Sequence, residues 1–403
     1  MKNNPPNPIR ALLPLMAILI GNAVAHSLFM ISFPIAGRVL GMSDIQTGAV
    51  LSLSAFTMLL VAPWWGRYSD SVGCQPAIRS GIISTALFLI MGAALFTLQS
   101  SLILSATALF LSFLAIRIFQ SIAVAGMMPS IQAHIANVTP EQKRVSGMGL
   151  MGATFGIGSL IGGSTAMLTG VAYFPHSMLI IAVLMLLTYW LYLPRINGTL
   201  VRQTVREKSA PVQKLPLKTI APYVLITFVV IFIYGLIQQT TGLRLQDQFS
   251  YTAQQALKGS GAMLTMAMGC MALSQVLLSC LTISRPVNIL FGGVVLGCIG
   301  LAALIRADTY LAMMISMAMT GLAMGLVLPA NLALLSQKAG INHQAYAASI
   351  NIIGKGIGLA AGPLAGAAMY QADALFPVWA SLLLFAVLPL FLLHQRQHAI
   401  AEG

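Results

Sequence analysis

The chain reads as an all-α membrane protein, with twelve transmembrane helices in two pseudo-symmetric six-helix bundles. Three observations predict this. Hydrophobic residues make up 58% of the 403 and charged residues only 7%, where a soluble domain carries about 25% charge. Apolar runs of about 20 residues, the length that crosses a bilayer as a helix, recur along the whole chain. The basic residues sort to one side of those runs. The period-two alternation of a transmembrane β-barrel is absent.

Taken in order, a polar, proline-rich prefix over 1–10 is expected to be disordered. The first span covers 11–36 and carries Asn22, His26 and the small-residue triplet Ala23-Val-Ala25, which resembles a cleavage site. The apolar stretch runs well past that triplet, so an uncleaved helix is expected. Spans follow at 45–65, 77–98, 102–128 (with Arg117 and Gln120), 145–170 and 174–193. A basic interval over 194–219 holds six Lys and Arg against Glu207 and divides the helices six and six. The second set covers 220–243 (with Gln238 and Gln239), 259–282, 287–305, 309–336, 345–369 (with Lys355) and 374–394, with a tail over 395–403. The expected bundles are therefore 11–193 and 220–394.

The net charge of +13 would suggest nucleic acid in a soluble protein. With the N-terminus inside, fifteen Lys and Arg fall in cytoplasmic segments and four (Arg38, Arg244, Lys258, Arg306) in outer ones. That asymmetry follows the positive-inside rule, places both termini in the cytoplasm of a bacterial inner membrane, and leaves no nucleic-acid argument. The four cysteines lack metal-ligand spacing, and neither disulfide nor metal is expected. No nucleophile–base pair or phosphate loop appears, so neither an enzyme nor a cofactor is expected.

A weak repeat relates the halves. Gly158-Ser-Leu-Ile-Gly162-Gly163 aligns with Gly362-Pro363-Leu-Ala-Gly366-Ala367, Gly126-Met-Met-Pro129 with Gly325-Leu-Val-Leu-Pro329, and Gly37-Arg38 with Gly242-Leu-Arg244. Such duplication is the architecture of two-bundle secondary transporters. Between the second and third spans stands Gly66-Arg67-Tyr68-Ser69-Asp70-Ser71-Val72-Gly73. It resembles the G-x-x-x-D-x-x-G loop of the major facilitator superfamily. Arg117-Ile-Phe-Gln120 resembles its R-x-x-Q motif, and the fifth-span glycines resemble the motif of its drug:proton antiporter branch.

The resemblance implies alternating access by a protein expected to act as a monomer in the lipid bilayer, with proton coupling tied to the arginine matching Arg117. It also implies gating by Asp70, framed by Gly66 and Gly73. Cys74-Gln75 replace the basic pair that usually follows the loop, and Ser159 stands in place of a proline. The glycines of the fifth and eleventh spans (Gly158, Gly162, Gly163, Gly362 and Gly366, with Pro363) are expected to pack between the halves, where small shifts serve gating.

The ionisable residues set the chemistry. All eight acids fall at helix ends or in loops, while Lys355 and Arg117 lie inside spans. Even on the mildest scale a central lysine costs about 2.5–3.5 kcal/mol, so Lys355 is expected to face a watery cavity or a partner. Asn351 lies one turn earlier on the same face. Arg117 offers a planar fork for a carboxylate or phosphate, with Gln120 at i+3. Asn22, Gln238 and Gln239 are expected to add polar lining. His26, the side chain whose ordinary titration lies near neutrality, is the leading proton carrier, with Lys355 and Arg117 as alternatives. Each also has a plainer reading: a lysine bonded to backbone carbonyls, a satisfied histidine, glutamines that pack helices.

The leading expectation is export of an organic anion, such as a polycarboxylate metal chelator (siderophore) or another acidic metabolite. Export of neutral or weakly charged drugs, uptake of an anionic nutrient, and a non-transporting receptor stay open.

Overall fold

The computed structural model describes residues 8–102, 104–138, 144–196, 217–279, 286–339 and 343–401. Most of the prefix and of the basic linker, with Glu141, Glu207 and Glu402, lies outside them. The helices are α1 (Pro8–Val39), α2 (Asp44–Val72), α3 (Gln75–Leu102), α4 (Ala106–Val124), α5 (Met127–Val138), α6 (Arg144–Thr169) and α7 (Phe174–Ile196). They continue as α8 (Leu217–Asp247), α9 (Ala253–Ser279), α10 (Pro286–Ile305), α11 (Tyr310–Ala339), α12 (Gln344–Ala372) and α13 (Phe376–Ala401). No strand occurs among the described residues.

Among the described residues, eleven stretches are long and apolar enough to cross a membrane, and Phe376–Pro389 in α13 is a shorter apolar one. A thirteenth helix arises because the fourth span is broken at Ala125–Gly126 into α4 and α5. Prolines inside α1, α2, α8, α11, α12 and α13 leave those helices continuous, as membrane helices permit when neighbours satisfy the freed carbonyls.

Packing divides the chain into two units, Met1–Arg206 with Ala253–Lys258, and Glu207–Thr252 with Gly259–Gly403. The short excursion at the start of α9 has no counterpart in the sequence reading. In the first unit α1 packs on α6 and α7, and α3 on α4 and α7. In the second α8 packs on α12 and α13, and α10 on α11 and α13. Each of these four pairings has its repeat-related pairing in the other unit.

The glycine runs lie in these seams, and here the sequence expectation is corrected: they join helices within a unit. A β-carbon added at Gly158 would stand 2.7 Å from Ile20 O, and one at Gly162 2.6 Å from Val24 O, both on α1. Ser27 Oγ donates to Ser159 O at 2.8 Å across the same seam, so the serine in the usual proline position presents its carbonyl to α1. On α12, Gly354, Gly358, Gly362 and Gly366 recur every fourth residue against Val224, Phe228, Gly235 and Leu236 of α8. Such spacing keeps the small residues on one helix face and lets backbones touch, which the sequence alone does not assign to a partner.

Two of the three arginines expected in outer segments are corrected as well. Arg38 and Arg244 sit in the last turns of α1 and α8, not in loops after them. Arg38 forms a bidentate pair with Asp44 at 2.7 and 2.8 Å. Arg244 is buried, donating to Leu304 O at 2.6 Å, Ala307 O at 3.3 Å and Gln248 Oε1 at 2.5 Å. It thereby caps carbonyls at and just beyond the C-terminal end of α10. Arg244→Ala is expected to cost about 1–3 kcal/mol, because it removes buried, charge-assisted hydrogen bonds to two carbonyls. Arg38→Ala removes a part-buried bidentate pair, its side chains 23% and 11% exposed, and is expected to cost about 1 kcal/mol. Melting of both purified variants checks the order, and an equal or reversed loss counts against it.

Candidate functional site

In the first unit α1, α3 and α4 build a cage around Arg117. Its guanidinium carbon lies 4.9 Å from the ring centres of both Phe29 on α1 and Phe88 on α3. NH1 donates to Gln120 Oε1 at 2.7 Å, and Gln120 Nε2 reaches Thr85 Oγ1 at 3.3 Å. Arg117 and Gln120 are 6% and 5% exposed. The i, i+3 spacing read from the sequence places both on one face of α4. A desolvated cation–π contact is worth about 2 kcal/mol, which offsets part of the cost of burying the cation. The offset is incomplete, since Arg117 Nε is buried without a hydrogen-bond partner.

His26 stands one turn before Phe29 on α1. It is half-buried, with its ring centre 6.4 Å from that of Phe155 on α6, and lies within electrostatic reach of Arg117. Asn22, a turn earlier, is also half-buried. The structure thus brings together Arg117, Gln120 and His26. It adds Phe29, Phe88, Thr85 and Phe155, which the sequence reading missed. Nothing in the sequence separates those phenylalanines from ordinary core positions, because the cage is a tertiary arrangement.

In the second unit Lys355 is the twelfth residue of α12, about 17 Å from that helix's start at 1.5 Å per residue. Its side chain is exposed, on a flank of the glycine seam, and the neighbouring Ile352, Ile353 and Ile357 are 59%, 45% and 43% exposed. Asn351 is half-buried and its Oδ1 is without a partner. Gln238 and Gln239 are buried in α8. The described acids Asp44, Asp70, Asp247, Asp308 and Asp373 all stand at helix ends or in loops. Asp247 accepts from Tyr370 at 2.9 Å. Among the described residues no group of three or more His, Cys, Asp or Glu could hold a metal.

The gating motif is helical rather than a loop: Gly66 through Val72 form the last turns of α2, and Gly73 caps them at φ 101°. That left-handed backbone explains the final glycine of the pattern, since a β-carbon is strained there. Gly66 faces open space, Asp70 lies on the last turns of α2, and Gly163 is buried in α6. Pro363 is buried in α12, its ring 3.1 Å from where a β-carbon on Gly235 would lie.

The chain is 27% identical over 204 residues to the class E tetracycline resistance protein of Escherichia coli, an alignment covering 48% of this chain and 46% of that protein. It spans under half the length of that relative. Over 362 residues, 86% of each chain, it is 26% identical to Multidrug resistance protein 1 of Bacillus subtilis (strain 168). Among solved structures, a bacterial homolog of the human lysosomal transporter Spinster, inward-facing and occupied, superposes with a TM-score of 0.75 at 14% identity, covering 98% of both chains. The D-xylose-proton symporter does so with 0.71 at 16% identity, covering 96% of this chain and 97% of that one. At those identities the structures speak for the fold. The profile of the Major Facilitator Superfamily matches residues 15–279 and 223–402. The chain belongs to the Major Facilitator Superfamily and is a multi-pass membrane protein.

Proposed function

We propose that the protein exports an organic anion across a bacterial inner membrane by alternating access, in exchange for protons. The observation that carries the reading is a charge imbalance. Arg117 and Lys355 are set well inside spans, while the described acids stand at helix ends. A cation set inside a span without a carboxylate beside it in its unit attracts negative charge and raises the cost of a cationic solute. The orphaned Arg117 Nε supports an acceptor arriving from a solute. The resistance proteins among its relatives support the outward direction. A carboxylate-bearing solute of the siderophore type suits a fixed cation of this kind. His26, beside Arg117, is the proton carrier in this reading; Asn351, Gln120, Asn22, Gln238 and Gln239 are polar lining, and Gly66, Asp70 and Gly73 serve the gate.

A second reading, export of neutral drugs, is favoured by the multidrug relative and by a small apolar cavity in the second unit. Met268, Met271, Met317 and Met324 line that cavity with Tyr234, and methionine adapts to varied apolar shapes.

Thermal shifts of the purified protein separate the two. A ligand at a hundred times its Kd stabilises by about 2.7 kcal/mol. Citrate is expected to raise the melting temperature of the wild type and not of Lys355→Ala. Stabilisation of both proteins by tetraphenylphosphonium, with none by citrate, would move the assignment to drug export.

A further inference from the structure

Arg79 and Tyr189 join the first turns of α3 to the last turns of α7. Arg79 NH2 donates to Tyr189 Oη at 2.9 Å, and the guanidinium carbon lies 5.8 Å from the centre of the same ring. Further along, the two helices are tightly seamed, for a β-carbon on Gly92 of α3 would stand 2.7 Å from the Met178 side chain of α7. The phenol engages one of the five N–H donors that an arginine carries. Arg79 is exposed, and among the described residues no carboxylate pairs with it. Its charge is held in place but not neutralised.

The surface beyond that charge is apolar along both helices. Ile83 and Ile90 follow Arg79 on α3 at i+4 and i+11, and Leu186 and Leu179 precede Trp190 on α7 at i−4 and i−11. At 100° per residue, each trio lies within about 40° on one helix face. Because Arg79 meets Tyr189, the neighbour of Trp190, the two rows start side by side at one end of the seam. The four aliphatic side chains are exposed, and Trp190 is 73% exposed. From Arg79 to Ile90 the row runs about 17 Å, close to the depth of one leaflet of a bilayer whose apolar core is about 30 Å thick. Exposed tryptophan in a membrane protein belongs at the headgroup level, where its ring is apolar and its N–H is wet.

We propose that the α3–α7 seam binds an anionic phospholipid, with Arg79 on its phosphate and its acyl chains along the rows of Ile83, Ile90, Leu186 and Leu179. The guanidinium fork matches two phosphate oxygens. An unneutralised cation favours a lipid of net negative charge over a zwitterionic one, whose own cation cancels much of the attraction. Tyr189 is a positioning residue, since its hydroxyl keeps the guanidinium over the seam. A charge that merely decorated the surface would need neither the phenol nor the rows. The site stands wholly in the first unit and touches none of Arg117, His26 or Lys355, so it is independent of which solute is carried.

Native mass spectrometry of the purified full chain tests this, with phosphatidylglycerol and phosphatidylcholine of the same acyl chains as probes. Wild type is expected to retain phosphatidylglycerol about fivefold better, the scale of one basic residue near a membrane surface. Arg79→Gln should erase that preference, and Arg79→Lys should keep part of it. Leu186→Trp, which fills the row under an unchanged charge, should weaken retention of both lipids. Lys338→Gln, which removes an exposed charge in the last turn of α11, should match wild type. Equal losses in Arg79→Gln and Lys338→Gln would mean diffuse surface charge and overturn the proposal. Equal retention of the two lipids by wild type, or unchanged retention in Leu186→Trp, would overturn it as well. Displacement of the lipid by inorganic phosphate would leave a plain anion site in its place. Should Leu186→Trp fail to fold, the Arg79 and Lys338 variants decide alone.

Discussion

Lys355→Glu should invert the charge preference of transport, and Lys355→Ala should remove it. In proteoliposomes, efflux of a polycarboxylate such as citrate is expected to fall about 10- to 150-fold in Lys355→Ala, the scale of one lost charge-assisted hydrogen bond of about 1.5–3 kcal/mol. The glutamate variant should instead carry an organic cation that wild type rejects. The argument rests on where the side chain stands. Gly354 and Gly358 hold α12 against Val224 and Phe228 of α8, which fixes the rotation of the helix. One residue advances 100° around a helix, so Lys355 leaves that seam and its side chain is exposed. No buried packing is lost on shortening it, and the melting temperature is expected to stay within about 2 °C, as for substitutions away from packed features. Lys355→Arg should keep a sizeable part of the flux, since the charge remains while the geometry changes. Citrate flux equal to wild type in Lys355→Ala would sink the anion reading.

How much of this was legible in the sequence depends on whether one helix or several decide a feature. The spans follow from apolar length alone, and the α4 patch of Arg117 and Gln120 from helical spacing alone, so both could be read directly. Gly73 was legible as a pattern, and its reason, a backbone at φ 101°, required the structure. The partner of a glycine face was not legible. Gly362 looks the same in sequence whether it meets α8 or a helix of the other half. Arg244 was read as an outer loop residue because one charge at the end of an apolar run is ambiguous by several residues. Only the carbonyls of Leu304 and Ala307 place it inside the fold. The break at Gly126 was hidden for a similar reason, since Trp65 and Ser80, which donate to the carbonyls of Ile122 and Ala123 just before it, are remote from it in sequence.

Valine at Gly362 is expected to be strongly damaging in the second unit, and valine at Gly162 its equivalent in the first. At Gly362 the added β-carbon would lie 2.8 Å from Gly235 Cα and 2.9 Å from Phe232 O. At Gly162 it would lie 2.6 Å from Val24 O and 3.0 Å from Leu28 N. Those neighbours are mostly backbone, which cannot swing aside as a side chain can. Overpacking a core costs about 1–3 kcal/mol and sometimes more. With backbone as the obstacle, the upper end of about 3 kcal/mol is expected, or roughly 6–12 °C in melting temperature. Alanine at Gly152 or Gly156 of the same α6 meets nothing within 4 Å. Those changes should be neutral or slightly stabilising, because glycine in a helix costs about 0.5–1 kcal/mol against alanine. Measuring melting and flux together separates two roles for the seams. Packing within a unit predicts that the valine variants lose stability first and that any folded fraction still transports. A Gly362→Val protein that melts like wild type but carries no solute would instead return these glycines to the gate.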